Sequence, residues 1–530
     1  MKILCINSTL APAFRRLGAT VKELDLPGGV IDLAKYPGVG EFAPDLIFQQ
    51  ESLGPRTLLV GLSKFFCPKF FWSIDTHLNF FWHKYYAKNF DLTFTTQPQL
   101  IPEFEREQIK ACILPWYAPE VAFIDWDRRV HPLSFVGRLS EHRPVRIKFV
   151  KLLKQTFPDF VFAEDVAFEQ MIKLYQQSKI VVNECIGGEI NFRVFEATGS
   201  GSILLTPDLP FFDAFFQPER EVIVFSHALE LVDKIKFYLK KTLEAEKIAK
   251  NAYNRVQKEH LALHRASFVV SKIGEEKKVI NQDEEQQNVR ASLFFLQANG
   301  VCPVAVKKHW IEEVPLFFDL EIENLLFQPQ RLKSFLLFIL NNNIYPQDLE
   351  LNAVASEACL RIEEFNWAKL FVLRFSSNTS TVLNKDKLDD KVELRLFWAR
   401  QFLQQNKLIR RGFIFDAEKH LPRSALEFIY LALEQNEKDK RVLRLFRDVC
   451  KRLAGQETLL LRAESWLSLL EPDNWRLNLD LVLTNLKNFR VKEAREEFYL
   501  AWNKAQKAGE EDLFWIRAKA LGVASLKKSY

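Results

Sequence analysis

Short apolar runs alternate with segments of helical periodicity along roughly the first 270 residues of the chain. Strands that alternate with helices are typical of a parallel sheet covered by helices on both faces. The runs predict strands at 2–6, 45–48, 69–74, 91–95 and 111–114, with helices at 56–66 and 99–108. Residues 1–122 are therefore expected to form one doubly wound α/β domain.

The same pattern then starts again. Apolar runs predict strands at 133–136, 160–163, 180–183, 203–206 and 221–225, with helices at 144–155 and 168–177. Two consecutive sets predict two Rossmann-like domains, 1–122 and 123–273, joined near 117–129. Ligands of such folds bind at the carboxyl ends of the strands, so the cleft between the two domains is the expected site.

The pattern changes after residue 273. Residues 274–290 hold no aromatic residue and few apolar ones, which predicts a linker. No strand series follows, and apolar residues recur at helical spacing, as at Leu443, Phe446 and Cys450. Residues 291–530 are therefore expected to form an α-helical domain.

A repeat of 34 residues is visible in this tail, because the block at 437–439 is matched by the block at 471–473. Such a period is typical of tetratricopeptide helix pairs. Only one pair of blocks is in phase, so a non-repetitive helical bundle is the alternative. Stacked helix pairs form concave surfaces that bind peptides, and the tail is therefore expected to dock a protein acceptor or another protein partner.

Composition excludes several classes of protein. Lysine and arginine number 73 against 68 acidic residues, and a net charge of +5 is too small to indicate nucleic-acid binding. The seven cysteines are scattered without a C-x-x-C pair, so neither a zinc ribbon nor a disulfide framework is expected. The apolar runs are too short for a signal peptide or a transmembrane segment, which favours a cytoplasmic protein.

The stretch at 180–208 carries the most informative chemistry. Gly187 and Gly188 lie in a loop that leads into a helix starting near Asn191. The start of a helix offers free N–H groups and the positive end of the dipole, which favour a phosphate group. Arg193 adds a guanidinium group, and Glu196 could accept hydrogen bonds from ribose hydroxyls. The alternative is an ordinary crossover helix with an Arg193–Glu196 pair on its surface.

Two further blocks end predicted strands. Gly137 allows close approach of the backbone to a ligand, and Arg138 and Arg143 follow where they could clamp a diphosphate. Asp75 and His77 follow the third strand, so that His77 could act as a base or orient an acceptor while Asp75 fixes its charge. The alternatives are a solvated turn, a helix cap and a half-buried histidine.

These blocks carry a family resemblance. FVG at 135–137, NFRVFEATGSGSILLT at 191–206, WSIDTHL at 72–78 and LPWYAPE at 114–120 resemble CgeB-like (spore-maturation type) glycosyltransferases over residues 1–270. That family is similar to retaining nucleotide-sugar transferases of the GT-B fold. The resemblance implies two facing Rossmann-like domains and transfer of a sugar from a nucleotide-diphosphate donor to an acceptor glycan or protein. It also implies a metal-independent enzyme without a cofactor, whose donor is its substrate.

The resemblance assigns roles to individual residues. Asn191 and Arg193 match the family's N-x-R, and Glu196 matches the second glutamate of the E-x7-E element, which meets the nucleotide ribose. The first glutamate of that element falls on Gly188, next to Glu189. This departure leaves open whether Glu189 takes its place or the sugar is held differently. The predicted donor-binding residues are Gly137, Arg138, Arg143, Gly188, Asn191, Arg193 and Glu196, and the predicted catalytic residues are Asp75, His77 and Glu189.

Two other functions are compatible with the same sequence. One is a catalytically degenerate GT-B scaffold whose helical tail binds protein partners, suggested by the displaced glutamate. The other is a sugar-nucleotide epimerase, which needs no acceptor. The sequence contains no G-x-G-x-x-G, P-loop, G-x-S-x-G or H-E-x-x-H motif, which disfavours dinucleotide enzymes, P-loop NTPases, serine hydrolases and zinc proteases.

Overall fold

The computed structural model describes residues 1–52, 54, 56–209, 211–275, 277–301, 318–379, 381 and 388–529. Its strands are β1 (Lys2–Ile6), β2 (Thr20–Leu24), β3 (Gly29–Asp32), β4 (Leu46–Gln50), β5 (Thr57–Val60), β6 (Lys69–Ser73), β7 (Leu92–Thr95), β8 (Ala111–Ile113), β9 (His131–Val136), β10 (Phe160–Ala163), β11 (Ser178–Val182), β12 (Ile203–Pro207) and β13 (Ile223–Phe225).

The α-helices fall into three groups. The first lobe contains α1 (Ala11–Arg16), α2 (Val39–Phe42), α3 (Thr76–Tyr86) and α4 (Ile101–Arg106). The second lobe contains α5 (Pro144–Thr156), α6 (Phe168–Gln176), α7 (Phe192–Gly199), α8 (Ala228–Lys240), α9 (Thr242–Glu259) and α10 (Ala262–Ser271). The remaining helices are α11 (Gln282–Ala298), α12 (Phe318–Asn324), α13 (Pro329–Asn341), α14 (Leu349–Arg361), α15 (Phe365–Thr379), α16 (Lys391–Gln404), α17 (Ala425–Gln435), α18 (Lys440–Lys451), α19 (Glu457–Leu470), α20 (Trp475–Lys487), α21 (Val491–Lys507) and α22 (Glu511–Ala520).

The first lobe is built on a six-stranded parallel sheet in the order β2-β1-β4-β6-β7-β8. All five strands predicted for this lobe are present. The central strands β4, β6 and β7 are buried throughout, because helices cover both faces of the sheet. Their continuous apolar runs made them visible in the sequence.

The helix expected at 56–66 is wrong. Residues 57–60 form β5, which pairs in parallel with β3 in a separate two-stranded sheet. The run Thr-Leu-Leu-Val is buried except at its end and is rich in β-branched residues, which favours an extended strand. The edge strand β2 was not predicted, because its half-exposed residues lack a continuous apolar run.

The second lobe is a five-stranded parallel sheet in the order β10-β9-β11-β12-β13. All five predicted strands are present, and α5 and α6 lie within one residue of their predicted ends. Helix α10 returns to the first lobe, where Ala266 and Val269 pack with Phe14 in its core. The Arg265 side chain donates to the backbone oxygens of Pro115 and Trp116. Two Rossmann-like lobes, followed by a region that is helical throughout its described part, confirm the expected fold class.

The linker expected at 274–290 is corrected by helix α11, which covers residues 282–298. Its polar first half conceals an apolar face, on which Val289 and Leu293 join the core of the first lobe. The carboxylate of Glu285 accepts a hydrogen bond from the backbone N–H of Leu62 at 2.7 Å. This helix therefore belongs to the wall of the first lobe, and the domain boundaries as a whole stay a prediction.

The described part of the tail is helical, and consecutive helices pack on each other. Helix α18 begins at Lys440 and α20 at Trp475, and their partners α19 and α21 begin at Glu457 and Val491. Cys302 and the parts of the tail at 302–317 and 382–387 lie outside the described residues. The other six cysteines are free thiols. No helix in the described ranges is long and apolar enough to cross a membrane.

Candidate functional site

A cavity of about 340 Å³ lies between the two lobes. It is lined by residues at the ends of β6, β7 and β9 and in the loop between β11 and α7. Eight of the ten predicted site residues line this cavity. They are Asp75, Gly137, Arg138, Arg143, Glu189, Asn191, Arg193 and Glu196. His77 and Gly188 do not line it, while Gln97, Arg146 and Tyr175 do, although the sequence did not single them out.

The loop between β11 and α7, which we call the glycine loop (residues 184–191), shapes one wall of the cavity. Gly187 and Gly188 adopt φ values of 63° and 73°, which glycine adopts without strain. Asn191 caps α7 with an extended backbone, and its Nδ2 donates to Asn183 Oδ1 at 3.0 Å and to the Glu184 oxygen at 3.2 Å. These bonds fold the loop back on the end of β11 and direct the first turn of α7 toward the cleft.

Arg193 has a different environment from the one predicted. Its Nη1 donates to Asn183 Oδ1 at 2.7 Å, and its Nη2 donates to the Val136 oxygen at 2.6 Å. The guanidinium group also lies 4.4 Å from the centre of the Phe135 ring. Arg193 therefore ties the end of β9 to the glycine loop, and most of its donors are already used. Gly137 faces it closely, because a Cβ at that position would lie 3.1 Å from Arg193 Nη2.

Three other arginines differ in how free they are. Arg138 is exposed and pairs with Asp165 at 2.9 Å. Arg146 is buried and pairs with the buried Glu184 at 2.5 Å. Within the described ranges, the side chain of Arg143 has neither a hydrogen-bond nor an ion-pair partner, although it lines the cavity. Arg143 is thus the cation of this wall that is available to an anionic ligand.

Glu196 lies one turn into α7 and is 8% exposed. Its carboxylate accepts no hydrogen bond from the described part of the chain, yet the residue lines the cavity. Burial raises the pKa of Glu196 to about 7, and the nearby Arg193 only partly opposes this shift. A nearly buried carboxyl without a partner is costly, so this group is well placed to receive hydroxyl donors from a ligand.

The first lobe contributes acidic groups to the opposite wall. Asp75 lines the cavity at the start of α3, and burial raises its pKa even though His77 and other cations oppose the shift. Behind it, the carboxylate of Glu51 accepts from the backbone N–H groups of Ile74 and Asp75 at 2.7 and 2.9 Å. Burial and the charge of Asp75 raise the pKa of Glu51 to about 8. Glu51 directly follows β4, which was the available signal for it.

His77 lies behind Glu189 and not on the cavity surface. Its Nε2 is 2.6 Å from Glu189 Oε2, and its side chain is 3% exposed. Burial by itself would lower the pKa of His77, but the carboxylates of Glu189 and Asp75 outweigh burial and raise it. Burial likewise opposes ionisation of Glu189, yet His77 lowers its pKa. His77 and Glu189 therefore form a charged pair across the two lobes, and only Glu189 faces the cavity.

Two glutamines also join the lobes. Gln97 Oε1 accepts from the Ile190 N–H at 3.1 Å, and its Nε2 donates to the Ile190 oxygen at 3.3 Å. Gln99 Nε2 donates to the oxygens of Gln97 and Gly188. Sequence reasoning missed both side chains, although Gln97 lies just after the end of β7.

Gly188 was predicted to bind the donor, but the structure places it against the tail. A Cβ on Gly188 would lie 2.7 Å from the Cβ of Ala454. A larger residue at position 188 would clash with Ala454 of the tail, which accounts for the glycine there.

Residues 133–271 match the model of the family described as glycosyl transferase-like. This segment covers the second lobe, with Glu196, Arg143 and the glycine loop. The second lobe is therefore similar to glycosyl transferase-like domains.

Several solved structures match about half of the chain at low sequence identity. Sucrose-phosphate synthase from Thermosynechococcus elongatus has 13% identity over 51% of this chain and 98% of its own, with a TM-score of 0.39. Anabaena HepE in complex with UDP and glucose has 13% identity over 51% and 98%, with a TM-score of 0.35. A glycosyltransferase from Rickettsia africae has 10% identity over 51% and 97%, with a TM-score of 0.35. No curated protein matches the chain.

Proposed function

We propose that the chain transfers a sugar from a nucleotide-diphosphate donor to a hydroxyl group of an acceptor glycan or protein, as the resemblance to CgeB-like enzymes implies. One observation carries the proposal. On the lobe that matches the glycosyltransferase-like family, the interlobe cavity has a carboxyl, Glu196, and a guanidinium, Arg143, whose side chains have no hydrogen-bond or ion-pair partner among the described residues. A carboxyl for ribose hydroxyls and a cation for a diphosphate are the two groups that a nucleotide-sugar donor requires.

The donor would lie along the second lobe. Its diphosphate would meet Arg143 and the first turn of α7, where free N–H groups favour an anion. Its ribose hydroxyls would donate to Glu196. Arg193 would support this arrangement by holding β9 to the glycine loop.

The acceptor would approach from the first lobe. In the transfer step the acceptor hydroxyl attacks the anomeric carbon, the bond from that carbon to the diphosphate oxygen breaks, and the hydroxyl proton passes to a carboxylate. Asp75 is the cavity-lining group suited to receive this proton, because burial raises its pKa above the ordinary value of an aspartate and so makes it a stronger base. Glu189 would face the sugar, with its charge maintained by His77.

Departure of the diphosphate would be assisted by Arg143 and the helix start, without a metal ion. We further propose that the reaction takes place in the cytoplasm. The helices α18 to α21 would form a tetratricopeptide-like repeat that presents a concave surface to a protein acceptor or partner.

Calorimetric titration with UDP-, GDP-, ADP- and CDP-linked sugars tests the donor site. One of these nucleotide classes is expected to bind, and Arg143→Ala is expected to weaken its binding. Lys151 is an exposed lysine of α5, the helix that Arg143 precedes, and Lys151→Ala should leave the affinity unchanged. Release of free sugar or its transfer then separates an enzyme from a scaffold. Binding without turnover would contradict the catalytic role, and no binding by any class would contradict the whole proposal.

A further inference from the structure

Two turns of the helical tail contact the two lobes beside the His77–Glu189 pair. The first turn, residues 410–413, packs on the start of α3. A Cβ on Gly412 would overlap the backbone oxygen of Leu78, the residue after His77. The backbone N–H of Phe81 donates to the Arg411 oxygen at 3.3 Å. The tail therefore reaches the helix that carries His77 by backbone contact.

The second turn, residues 453–455, packs on the glycine loop. A Cβ on Gly455 would overlap the backbone of Gly187, and Ala454 fills the space beside Gly188. Glu189 follows immediately in the chain, and its Oε1 accepts from the Ile186 N–H at 3.2 Å, which closes the loop on itself. A displacement of Gly187 or Gly188 therefore also displaces Glu189, because the three residues belong to one short, hydrogen-bonded turn.

The pair itself is held between these two contacts. His77 Nε2 and Glu189 Oε2 are 2.6 Å apart and come from different lobes. Neither α3 nor the glycine loop alone fixes this distance, because it depends on how the lobes are placed relative to each other. The tail contacts both lobes next to the two residues concerned.

We propose that the tail is a built-in part of the transfer site, whose turns 410–413 and 453–455 hold His77 and Glu189 in contact across the cleft. Gly412 and Gly455 are then positioning residues, because they act through the backbone of α3 and of the glycine loop. The chemical role of the pair rests on the proposed function, whereas the bracing can be measured without any substrate.

Two tail glycines provide a matched test. Gly455 and Gly509 follow helices α18 and α21 and adopt nearly the same left-handed φ, 74° and 67°. An alanine at either position suffers the same backbone strain. Only at Gly455 does the added Cβ meet another segment, since nothing lies within 4 Å of a Cβ on Gly509. Any difference between Gly455→Ala and Gly509→Ala therefore reports the contact with the glycine loop.

The readout is the titration of the His77 imidazole by NMR in the full chain, assigned with His77→Gln. The carboxylates facing this ring are Glu189 from the glycine loop, Asp75 from the start of α3 and Glu51 from the end of β4. The pKa of His77 is expected to fall in Gly455→Ala and to stay at its wild-type value in Gly509→Ala. Glu189→Gln sets the size of the fall when the partner is lost.

A wild-type His77 titration in folded Gly455→Ala, or an equal fall in Gly509→Ala, overturns the proposal. If Gly455→Ala does not fold, Ala454→Val is the alternative, because its larger side chain displaces Gly188 to a smaller extent. An unchanged His77 titration in Ala454→Val, or an equal fall in Gly509→Ala, then overturns the proposal. Donor turnover provides a second measurement. Displacing a reacting group by about 1 Å can cost about 100-fold in rate, so kcat is expected to fall by that order while KM for the donor is kept. If the wild type shows no turnover but the His77 pKa still differs between Gly455→Ala and Gly509→Ala, the result contradicts only the proposed function.

Discussion

The two walls of the cavity keep ionisable groups in place by opposite means. On the first lobe, Glu51 and Asp75 are buried near each other, and burial raises the pKa of both. On the second lobe, Glu184 is buried too, but it faces the guanidinium of Arg146. Burial raises the pKa of Glu184 as well, but Arg146 opposes this shift. The comparison teaches that a buried carboxyl of the second lobe is held by an ion pair with an arginine, whereas Glu51 and Asp75 have no arginine or lysine ion-pair partner in the described part of the chain.

The largest effect is expected from breaking the ion pair of the second lobe. Arg146→Leu leaves the carboxylate of Glu184 buried without its partner, which costs about 3–5 kcal/mol of unfolding free energy. Urea denaturation of the variant and the wild type measures this loss. Arg138→Ala, which breaks an exposed pair, is expected to cost about 1 kcal/mol or less. Equal losses in both variants would show that the buried pair does not hold this wall.

The first lobe is expected to respond to pH instead. The folded pKa of Glu51, about 8, lies above its ordinary value of 4.5, so the folded state binds the proton more tightly. Its contribution to stability is therefore complete below pH 4.5 and is lost as the pH rises through about 8, by up to about 1.4 kcal/mol per pH unit. Denaturation at pH 5 and pH 8 should show this loss in the wild type and a smaller loss in Glu51→Gln. An unchanged pH dependence in the variant would contradict it.

The next largest effect is expected in ligand binding, where variants of the two walls should differ. Arg143→Ala removes a charged donor that has no partner within the described ranges, so nucleotide affinity should fall by about 10- to 100-fold with little change in melting temperature. Asp75→Asn, on the other wall, should keep the affinity and lose turnover. Calorimetry and product analysis measure the two variants. Equal loss of affinity in both would remove the distinction between the walls.

The smallest effect is expected at Glu196. Its pKa of about 7 means that the carboxylate form, the better acceptor for ribose hydroxyls, becomes dominant as the pH rises from 6 to 8. Nucleotide affinity should increase over this window in the wild type, and Glu196→Gln should bind about tenfold more weakly at pH 8 with a flat profile. Titrations at both pH values test it. The same rise in the variant would assign the pH dependence to another group.

The sequence revealed the ten strands that are continuous apolar runs, because strands covered on both faces carry no polar alternation. It missed β2, which is an edge strand, and β3 and β5, which form the separate two-stranded sheet. It also located the ends of the strands where the cavity forms, and so singled out Arg143 and Glu196, which line the cavity. It did not reveal that Gly188 packs against Ala454 and that His77 lies behind Glu189, since both contacts involve segments distant in the chain.

By itself the sequence determined the two doubly wound lobes, the helical tail and the loops that carry charge at the strand ends, because periodicity and strand-end chemistry are local properties. Only the tertiary structure decided which of those charges are free. Arg193 donates to the oxygens of Asn183 and Val136, whereas the side chain of Arg143 has no partner in the part of the chain that the structure describes. It also decided that His77 reaches Glu189 across the cleft, since burial and pairing between distant segments arise only when the lobes and the tail pack together.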